Sequence, residues 1–223
     1  MLSDLLYSLK ETEFFFNLFG YISFRSGLSL VTSFFIVIIL MPHWIRFQKS
    51  IFPSGQPIRN DGPDTHYHKK GTPTLGGVLI LFSIILSSIL WTSNFSSFNY
   101  ILILTLTLFG LIGLVDDFQK VKLGRGISSK TKFLSQLLAT IIIYLTIKYN
   151  GFDLNKFSIP FLKDVSIELG YLYFVLILLI VVGSTNATNL TDGLDGLVSM
   201  PLIFVFLTFA IFAYVLGNIN FSD

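Results

Sequence analysis

The sequence contains no cysteine, which excludes disulfide bridges, thiolate metal ligands and cysteine nucleophiles. It also has little charge: Asp, Glu, Lys and Arg make up 13% of the residues, about half the share of an average soluble domain. Hydrophobic residues make up 52%. Residues 1–20 contain Asp4, Glu11 and Glu13 rather than a basic leader, so we expect an interfacial segment there and not a secretory signal. This composition predicts an integral membrane protein.

Six apolar stretches approach or reach the length that a helix needs to cross a bilayer, about 20 residues. They predict an all-α, polytopic membrane protein with about six transmembrane helices, which form a single transmembrane domain over residues 1–223. The third and fifth stretches are short, and we expect polar residues at their ends to supply the missing length in a water-lined cavity. The predicted spans are 21–41, 74–91, 100–115, 133–149, 171–183 and 197–217.

The basic residues indicate the orientation of these helices. Loops 42–73 and 116–132 together contain ten of the 15 Lys and Arg residues, and basic loops stay in the cytoplasm. Loop 92–99 has none and segment 150–170 has two, so both are expected outside. Alternating apolar and polar residues over 165–169 predict a small external β-hairpin in the second of these segments.

A polar cluster lies between the fifth and sixth spans, within the sequence NATNLTDGLDGL at 186–197. Asn189, Asp192 and Asp195 follow one another at intervals of three residues, which places neighbouring members on one face of a helix. Gly193 and Gly196 permit close approach of a ligand to the backbone. Oxygen ligands beside free backbone donors suit a hard cation and a phosphate donor. The alternative is that Asn189 or Asp192 merely caps the sixth span.

A second acidic pair, Asp116-Asp117, follows the third span. Adjacent residues point about 100° apart on a helix, so these carboxylates are expected to divide their work. One would face a metal or nucleophile, and the other a basic neighbour such as Lys120. The alternative is a solvated helix end without a role. Since both acidic clusters are predicted on the cytoplasmic side, we expect them to converge on one polar site.

The second span opens with Lys69-Lys70 followed by Thr74 and two glycines. Lysine beside the free N–H groups of a helix start favours a phosphate site, although the order is not that of a P-loop. The alternative is anchoring by positive charge, which explains the lysines but not the Thr and Gly residues. His66 and His68 lie nearby without a third soft ligand, so the spacing favours a role without metal.

Three segments resemble one family, the phospho-N-acetylmuramoyl-pentapeptide transferases, which are membrane enzymes of peptidoglycan synthesis. The segments read QPIRNDGPDTHYHKKGTPTLGG at 56–77, GLVDDFQKV at 113–121 and NATNLTDGLDGL at 186–197. The resemblance implies transfer of phospho-N-acetylmuramoyl-pentapeptide from a UDP-linked donor to undecaprenyl phosphate, giving lipid I and UMP. It also implies Mg²⁺ as cofactor, the bacterial inner membrane as location, a cytoplasmic active site, and roles in cell wall biogenesis, cell shape and cell division.

Site residues follow from the resemblance by position. It implies Asp116, Asp117 and Asp192 as catalytic residues, with Asp116 as a base or activator of the nucleophile. Asp117 and Asn189 would hold the metal, and Gly193, Leu194 and Asp195 would hold the uridine. The remaining implied substrate contacts, mainly to phosphates, come from Lys69, Thr74, Lys120, Lys132 and again Asn189.

The family has about ten spans, whereas this sequence has six and lacks a counterpart of the family's later metal aspartate and His-rich motif. We therefore expect an N-terminal portion that does not turn over by itself. Alternatives are a related transferase for another UDP-amino sugar or an inactive membrane fragment. The expected partners are the nucleotide substrate, undecaprenyl phosphate and membrane lipid, with a homodimer left open and no nucleic acid. Direct attack and a covalent aspartyl intermediate both fit these residues.

Overall fold

The computed structural model describes residues 2–53, 73–159, 165–192 and 196–217, and most of them are helical. A short N-terminal helix and two 3₁₀ helices, Leu9–Glu11 and Phe14–Gly20, precede the long helices. The helices are α1 (Leu2–Ser8), α2 (Ile22–Ile51), α3 (Gly76–Trp91), α4 (Ser97–Leu123), α5 (Ser129–Tyr149), α6 (Leu172–Thr191) and α7 (Ser199–Leu216). The strands are β1 (Lys156–Ser158) and β2 (Ser166–Glu168).

Five of the described helices, α2, α4, α5, α6 and α7, are long and apolar enough to cross a membrane. Helix α3 is a shorter apolar helix of 16 residues. The prediction of an all-α, multi-pass membrane protein with a small hairpin is thus confirmed. The chain forms two compact units, residues 1–152 and 153–223. That the whole chain is one transmembrane domain stays a prediction.

Three helices extend beyond the apolar stretches that predicted them. Helix α4 runs through Asp116 and Asp117 to Leu123, and α6 continues past Gly183 to Thr191. The expectation that polar ends complete the third and fifth spans is confirmed, since these helices have 27 and 20 residues. The prediction that a loop begins at residue 42 was wrong, because α2 continues to Ile51. Hydropathy marks where apolar residues stop, whereas helical hydrogen bonding continues through residues of good propensity.

Helices α2 and α3 pack as an antiparallel pair held by polar contacts at intervals along their length. The Trp91 indole N–H donates to Thr32 Oγ1 at 2.9 Å, and the guanidinium of Arg25 donates to Ser93 Oγ. At the other end the Trp44 indole donates to a backbone carbonyl of the residue before α3, at 3.0 Å. In an apolar environment the hydrophobic effect contributes little to helix association. Contacts of this kind, between small or amphipathic residues, therefore determine which helices pair.

Midway along the pair, the hydroxyl groups of Ser33 and Ser83 lie 3.1 Å apart. Ser83 and Ser87 are buried on α3 and their hydroxyls donate to carbonyls one turn earlier in the same helix. Small residues let the two backbones approach closely. The register of α2 against α3 is therefore fixed from both ends and from the middle.

The N-terminal segment contributes an aromatic cluster to the first unit. Phe19 is buried and stacks on Trp91 with ring centroids 6.0 Å apart, while its edge contacts Phe24. Phe14 and Phe15 are exposed. The segment is thus anchored through the ring of Phe19, while the rings of Phe14 and Phe15 remain exposed. Its interfacial position stays a prediction.

The second unit contains the hairpin followed by α6 and α7. Strands β1 and β2 pair antiparallel, with Lys156 opposite Glu168 and Phe157 opposite Ile167. The predicted hairpin is confirmed, and its external location stays a prediction. Helix α7 has no buried residue, as expected of an apolar helix whose surroundings are lipid or other helices.

Trp91→Phe and Thr32→Val are each expected to lower the stability of the α2–α3 pair, because either change removes one partner of the indole–hydroxyl hydrogen bond. Their coupling energy in a double-mutant cycle should be about 0.6–1 kcal/mol, the scale of interhelical hydrogen bonds in membrane proteins. Reversible unfolding in detergent with increasing SDS measures it. Fully additive effects of the two changes would show that the bond contributes nothing to stability.

Candidate active site

The centre of the candidate site is Asp116, which is buried near the end of α4. Its Oδ1 accepts a hydrogen bond from the backbone N–H of Ile127 at 3.0 Å. Its Oδ2 lies 2.9 Å from Lys120 Nζ and 3.4 Å from Lys132 Nζ. Both oxygens of this carboxylate are therefore engaged by donors, and the burial of its charge is compensated.

Asp117 has a different environment on the same helix. Its Oδ1 lies 2.9 Å from Lys120 Nζ, so one ammonium group is shared by the two carboxylates. The side chain of Asp117 is 38% exposed, compared with 8% for Asp116. Both carboxylates contact Lys120, and Asp117 is the more accessible of the two. That the adjacent aspartates divide their work stays a prediction.

The connection between α4 and α5 brings these groups together. Gly124 ends α4 in the left-handed region, with φ of 74°, a conformation that favours glycine. Ser128 is the N-cap of α5, and its hydroxyl accepts the N–H of Thr131 at 3.2 Å. Because both helix ends are fixed, the first turn of α5 folds back and carries Lys132 over Asp116.

Asp116, Asp117, Lys120 and Lys132 form what we call the carboxylate–lysine cluster. Two carboxylates and two ammonium groups sum to zero formal charge. Such a cluster can exchange partners with an incoming phosphate, since lysines bind phosphate as mobile point charges. The alternative interpretation of the acidic pair as a solvated helix end is wrong for Asp116, which is buried.

Thr74 lies at a small cavity between the end of α2, the start of α3 and α4, which is also lined by Gln48, Lys49 and Val121. Gln48 Nε2 and Thr74 Oγ1 are buried and have no hydrogen-bond partner among the described residues. The space suits about one water molecule. Thr74 therefore has a hydroxyl available to a water or a ligand oxygen, and its contact with a substrate phosphate stays a prediction.

Asn189 and Asp192 lie at the end of α6, in the second unit. Both are exposed, and Asp192 is the C-cap residue, with its backbone N–H bonded to Thr188 O at 3.1 Å. The interpretation that either residue caps the sixth span is wrong, because the N-cap of α7 is Val198. Convergence of these residues with the carboxylate–lysine cluster stays a prediction.

Several predicted site residues lie outside the described residues. These are Lys69, Gly193, Leu194 and Asp195, together with His66 and His68.

The described part of the chain contains no group of three or more His, Cys, Asp and Glu side chains placed to hold a metal ion. Asp116 fits a metal poorly, since its oxygens already accept three donors. Asp117 fits better, being the exposed carboxylate. Mg²⁺ is usually held by one or two carboxylates, waters and substrate phosphates, so one protein carboxylate from this cluster is compatible with such an ion.

The described helices and the carboxylate–lysine cluster define a multi-pass helical membrane protein with a polar site at one helix end. Comparison with known proteins shows its family. The sequence pattern of glycosyl transferase family 4 matches residues 99–223, which is more than half of the chain. The chain belongs to that family.

Curated relatives match the chain over its whole length and are named phospho-N-acetylmuramoyl-pentapeptide-transferase. The protein from Desulforapulum autotrophicum is 44% identical over 226 residues, covering 100% of this chain and 62% of the relative. Those from Rickettsia prowazekii and Rickettsia felis are 39% and 40% identical, each with 63% of the relative covered. The predicted resemblance is confirmed. This chain spans slightly less than two thirds of the length of these relatives.

Sequence reasoning missed Gly126, Ile127 and Gln48 as parts of the site. Two glycines, Gly124 and Gly126, in so short a connection are a signal of tight backbone geometry. Nothing in the sequence marks the Ile127 N–H or the Gln48 amide, because the contact of the first with Asp116 and the burial of the second beside Thr74 depend on which helices pack together.

Lys120→Met is expected to lower the free energy of unfolding by about 2 kcal/mol, because hydrogen bonds to charged groups contribute about 1.5–3 kcal/mol and buried Asp116 would keep only one lysine. Lys130→Met is the matched control, since Lys130 is exposed in the first turn of α5 and its replacement should change stability by less than about 0.5 kcal/mol. Unfolding in detergent with increasing SDS compares them. Equal stabilities of the two variants would contradict a structural role for the shared ammonium group.

Proposed function

We propose that this chain forms part of an enzyme that transfers phospho-N-acetylmuramoyl-pentapeptide from its UDP-linked donor to undecaprenyl phosphate. A phosphate oxygen of the lipid attacks the phosphorus that carries the sugar, and a new P–O bond forms. The bond from that phosphorus to the bridging oxygen of UMP breaks, and UMP leaves with the bonding electrons. The products are lipid I and UMP.

The single observation that carries this proposal is the carboxylate–lysine cluster at the end of a membrane-length helix. One substrate is water-soluble, and the other has a long apolar tail with its phosphate at the membrane surface. A polar site at a helix end is accessible to both. Phosphoryl transfer requires positioning and charge stabilisation more than covalent chemistry by the protein, and paired lysines and carboxylates supply both.

Lys120 and Lys132 have two roles in this proposal. In the free protein they neutralise Asp116, and with substrates bound they contact phosphate oxygens. When the phosphates draw the lysines away, Asp116 Oδ2 becomes available to accept the proton of the lipid phosphate, as a general base must. Asp116 Oδ2 thus becomes free to accept a proton only after the substrate phosphates have bound to the two lysines.

Asp117 and Asn189 would hold Mg²⁺, and the exposed carboxylate of Asp117 supports this assignment. A bound Mg²⁺ would neutralise the negative charge of the diphosphate during transfer. Asp192 is assigned to the same site as a catalytic residue. Lys69 and Thr74 are assigned to phosphate, and Gly193, Leu194 and Asp195 to the uridine, by their positions in the matching segments.

The active site is proposed to face the cytoplasm of the bacterial inner membrane. The basic loops 42–73 and 116–132 support this orientation. It also suits the substrates, since nucleotide-linked sugars are soluble cytoplasmic compounds.

The function is tested in a chimera in which these 223 residues replace the matched part of the Desulforapulum autotrophicum relative. Membranes containing it are supplied with radiolabelled nucleotide substrate, undecaprenyl phosphate and Mg²⁺, and lipid-linked product is measured. We expect product, with competition by unlabelled UDP-muramoyl-pentapeptide and not by UDP-GlcNAc. An inserted chimera that gives no product, while the intact relative does, would contradict the proposal; competition by UDP-GlcNAc would indicate a different UDP-amino sugar.

Asp117→Asn and Asp192→Asn in the chimera are each expected to lower turnover by at least about 10²-fold, the scale of losing a key electrostatic or acid–base group. Glu168→Gln in the hairpin is the control for loss of a carboxylate elsewhere and should leave turnover unchanged. Initial rates of lipid product measure the effect. A variant with turnover near that of the parent would remove its aspartate from the catalytic set.

The orientation is tested by single cysteines, which need no prior removal of native thiols in a chain without cysteine. A cysteine at Lys122 should react with a membrane-impermeant maleimide only after the cells are opened. A cysteine at Glu168, in the hairpin, should react in intact cells. Labelling at Lys122 from outside would refute the cytoplasmic orientation.

A further inference from the structure

Gly126 lies against the buried carboxylate of the site more closely than any side chain would permit. A Cβ built on Gly126 would overlap Asp116 Oδ1 and lie 3.2 Å from Lys120 Cε. A real Cβ atom essentially never lies within 3.0 Å of a heavy atom outside its own residue and that residue's two chain neighbours. Any side chain at this position must therefore displace Asp116 or the connection that contains it.

The reason for glycine here is space and not backbone conformation. The φ of Gly126 is not positive, whereas Gly124 in the same connection has a φ of 74°. Around Gly124 and Gly27 a Cβ would meet nothing within 4 Å. Among the described glycines, Gly126 is set apart because the atom that a Cβ would strike belongs to a predicted catalytic carboxylate.

The next residue completes the contact. The backbone N–H of Ile127 donates to the same Oδ1 of Asp116, at 3.0 Å. This bond needs the Gly126–Ile127 backbone to lie directly on the carboxylate. It fixes one oxygen, so the other is directed towards Lys120 and Lys132, at 2.9 and 3.4 Å.

We propose that Gly126 is a positioning residue for the transferase reaction, acting through Asp116. Because Gly126 has no side chain, it leaves room for the Ile127 N–H to bind Asp116 Oδ1. Asp116 Oδ2 then stays directed towards Lys120 and Lys132, which leave it when they bind phosphate. This inference rests on the proposed function. It adds to the candidate site the backbone of Gly126 and Ile127 and the space that a side chain at residue 126 would fill.

The positioning role predicts a fixed orientation of Asp116 that persists when the lysines move away. Without the backbone bond, a carboxylate that loses its lysines would rotate and be hydrated. A misplacement of about 1 Å at a reacting group can cost about 10²-fold in rate. The effect of a Cβ at residue 126 should thus appear in the chemical step more than in substrate affinity.

Carboxyl labelling tests the contact without requiring activity. The chimera in membranes is treated with a water-soluble carbodiimide and glycine ethyl ester, and modification at Asp116 and Asp117 is measured by mass spectrometry. In the parent we expect Asp117 to be modified and Asp116 to be protected. Gly126→Ala should raise modification of Asp116 to the level of Asp117, and Gly27→Ala should not. Equal protection of Asp116 in the parent and in Gly126→Ala would overturn the inference, as would ready modification in the parent.

Kinetics tests whether the contact acts through Asp116. Gly126→Ala should lower kcat by about 10-fold to 10²-fold, with the KM for the nucleotide substrate changed by less than about twofold, while Gly27→Ala keeps both values. In an Asp116→Asn background, Gly126→Ala should cause no further loss, because the group it positions is already changed. An undiminished kcat, or a full further loss in that background, would overturn the inference.

The two proposals fail in different ways. If the parent chimera gives no product, the proposed function fails, and the labelling experiment still decides whether Gly126 holds Asp116. If the parent is active and Gly126→Ala matches it, the positioning inference alone is wrong.

Discussion

The burial of one negative charge, that of Asp116, constrains this end of the molecule more than any other interaction. A carboxylate placed at the end of a membrane helix is costly unless donors surround it. Lys120 comes from the next turn of the same helix, Lys132 from the following helix, and an N–H from the connection between them. The sharp end of α4, the cap of α5 and the absent side chain at residue 126 all serve that arrangement.

The same arrangement explains why two adjacent, chemically identical residues differ. Asp116 points inward, where each of its oxygens meets a donor. Asp117 is more exposed, and among the described residues its carboxylate contacts Lys120. Because both share one ammonium group, moving Lys120 towards a phosphate changes the surroundings of both at once. The two carboxylates are therefore electrostatically coupled, although they face different directions.

Much of the fold could be predicted from the sequence, because apolar runs and turn residues act locally. The helices, the hairpin and the contact of Lys120 with an adjacent aspartate all follow from periodicity and spacing. The contacts of Asp116 with Lys132 and Ile127 could not be predicted, since they join residues 16 and 11 positions away through a particular packing of two helices. The end of α2 was missed because hydropathy falls at residue 42 while the helix, with Pro42 inside it, continues.

Helices α2 and α3 form a pair of unequal length, with 30 and 16 residues. At a rise of 1.5 Å per residue, α3 is only about 24 Å long, shorter than a hydrocarbon core of about 30 Å. Trp91 ends α3, and Trp44 contacts its start, so indole rings suited to the headgroup region mark both ends of the short helix. Hydrophobic mismatch of this kind is relieved by local thinning of the bilayer or by polar flanks. For an apolar helix of this length in a bilayer, acyl-chain length thus sets the size of the mismatch, independently of any substrate.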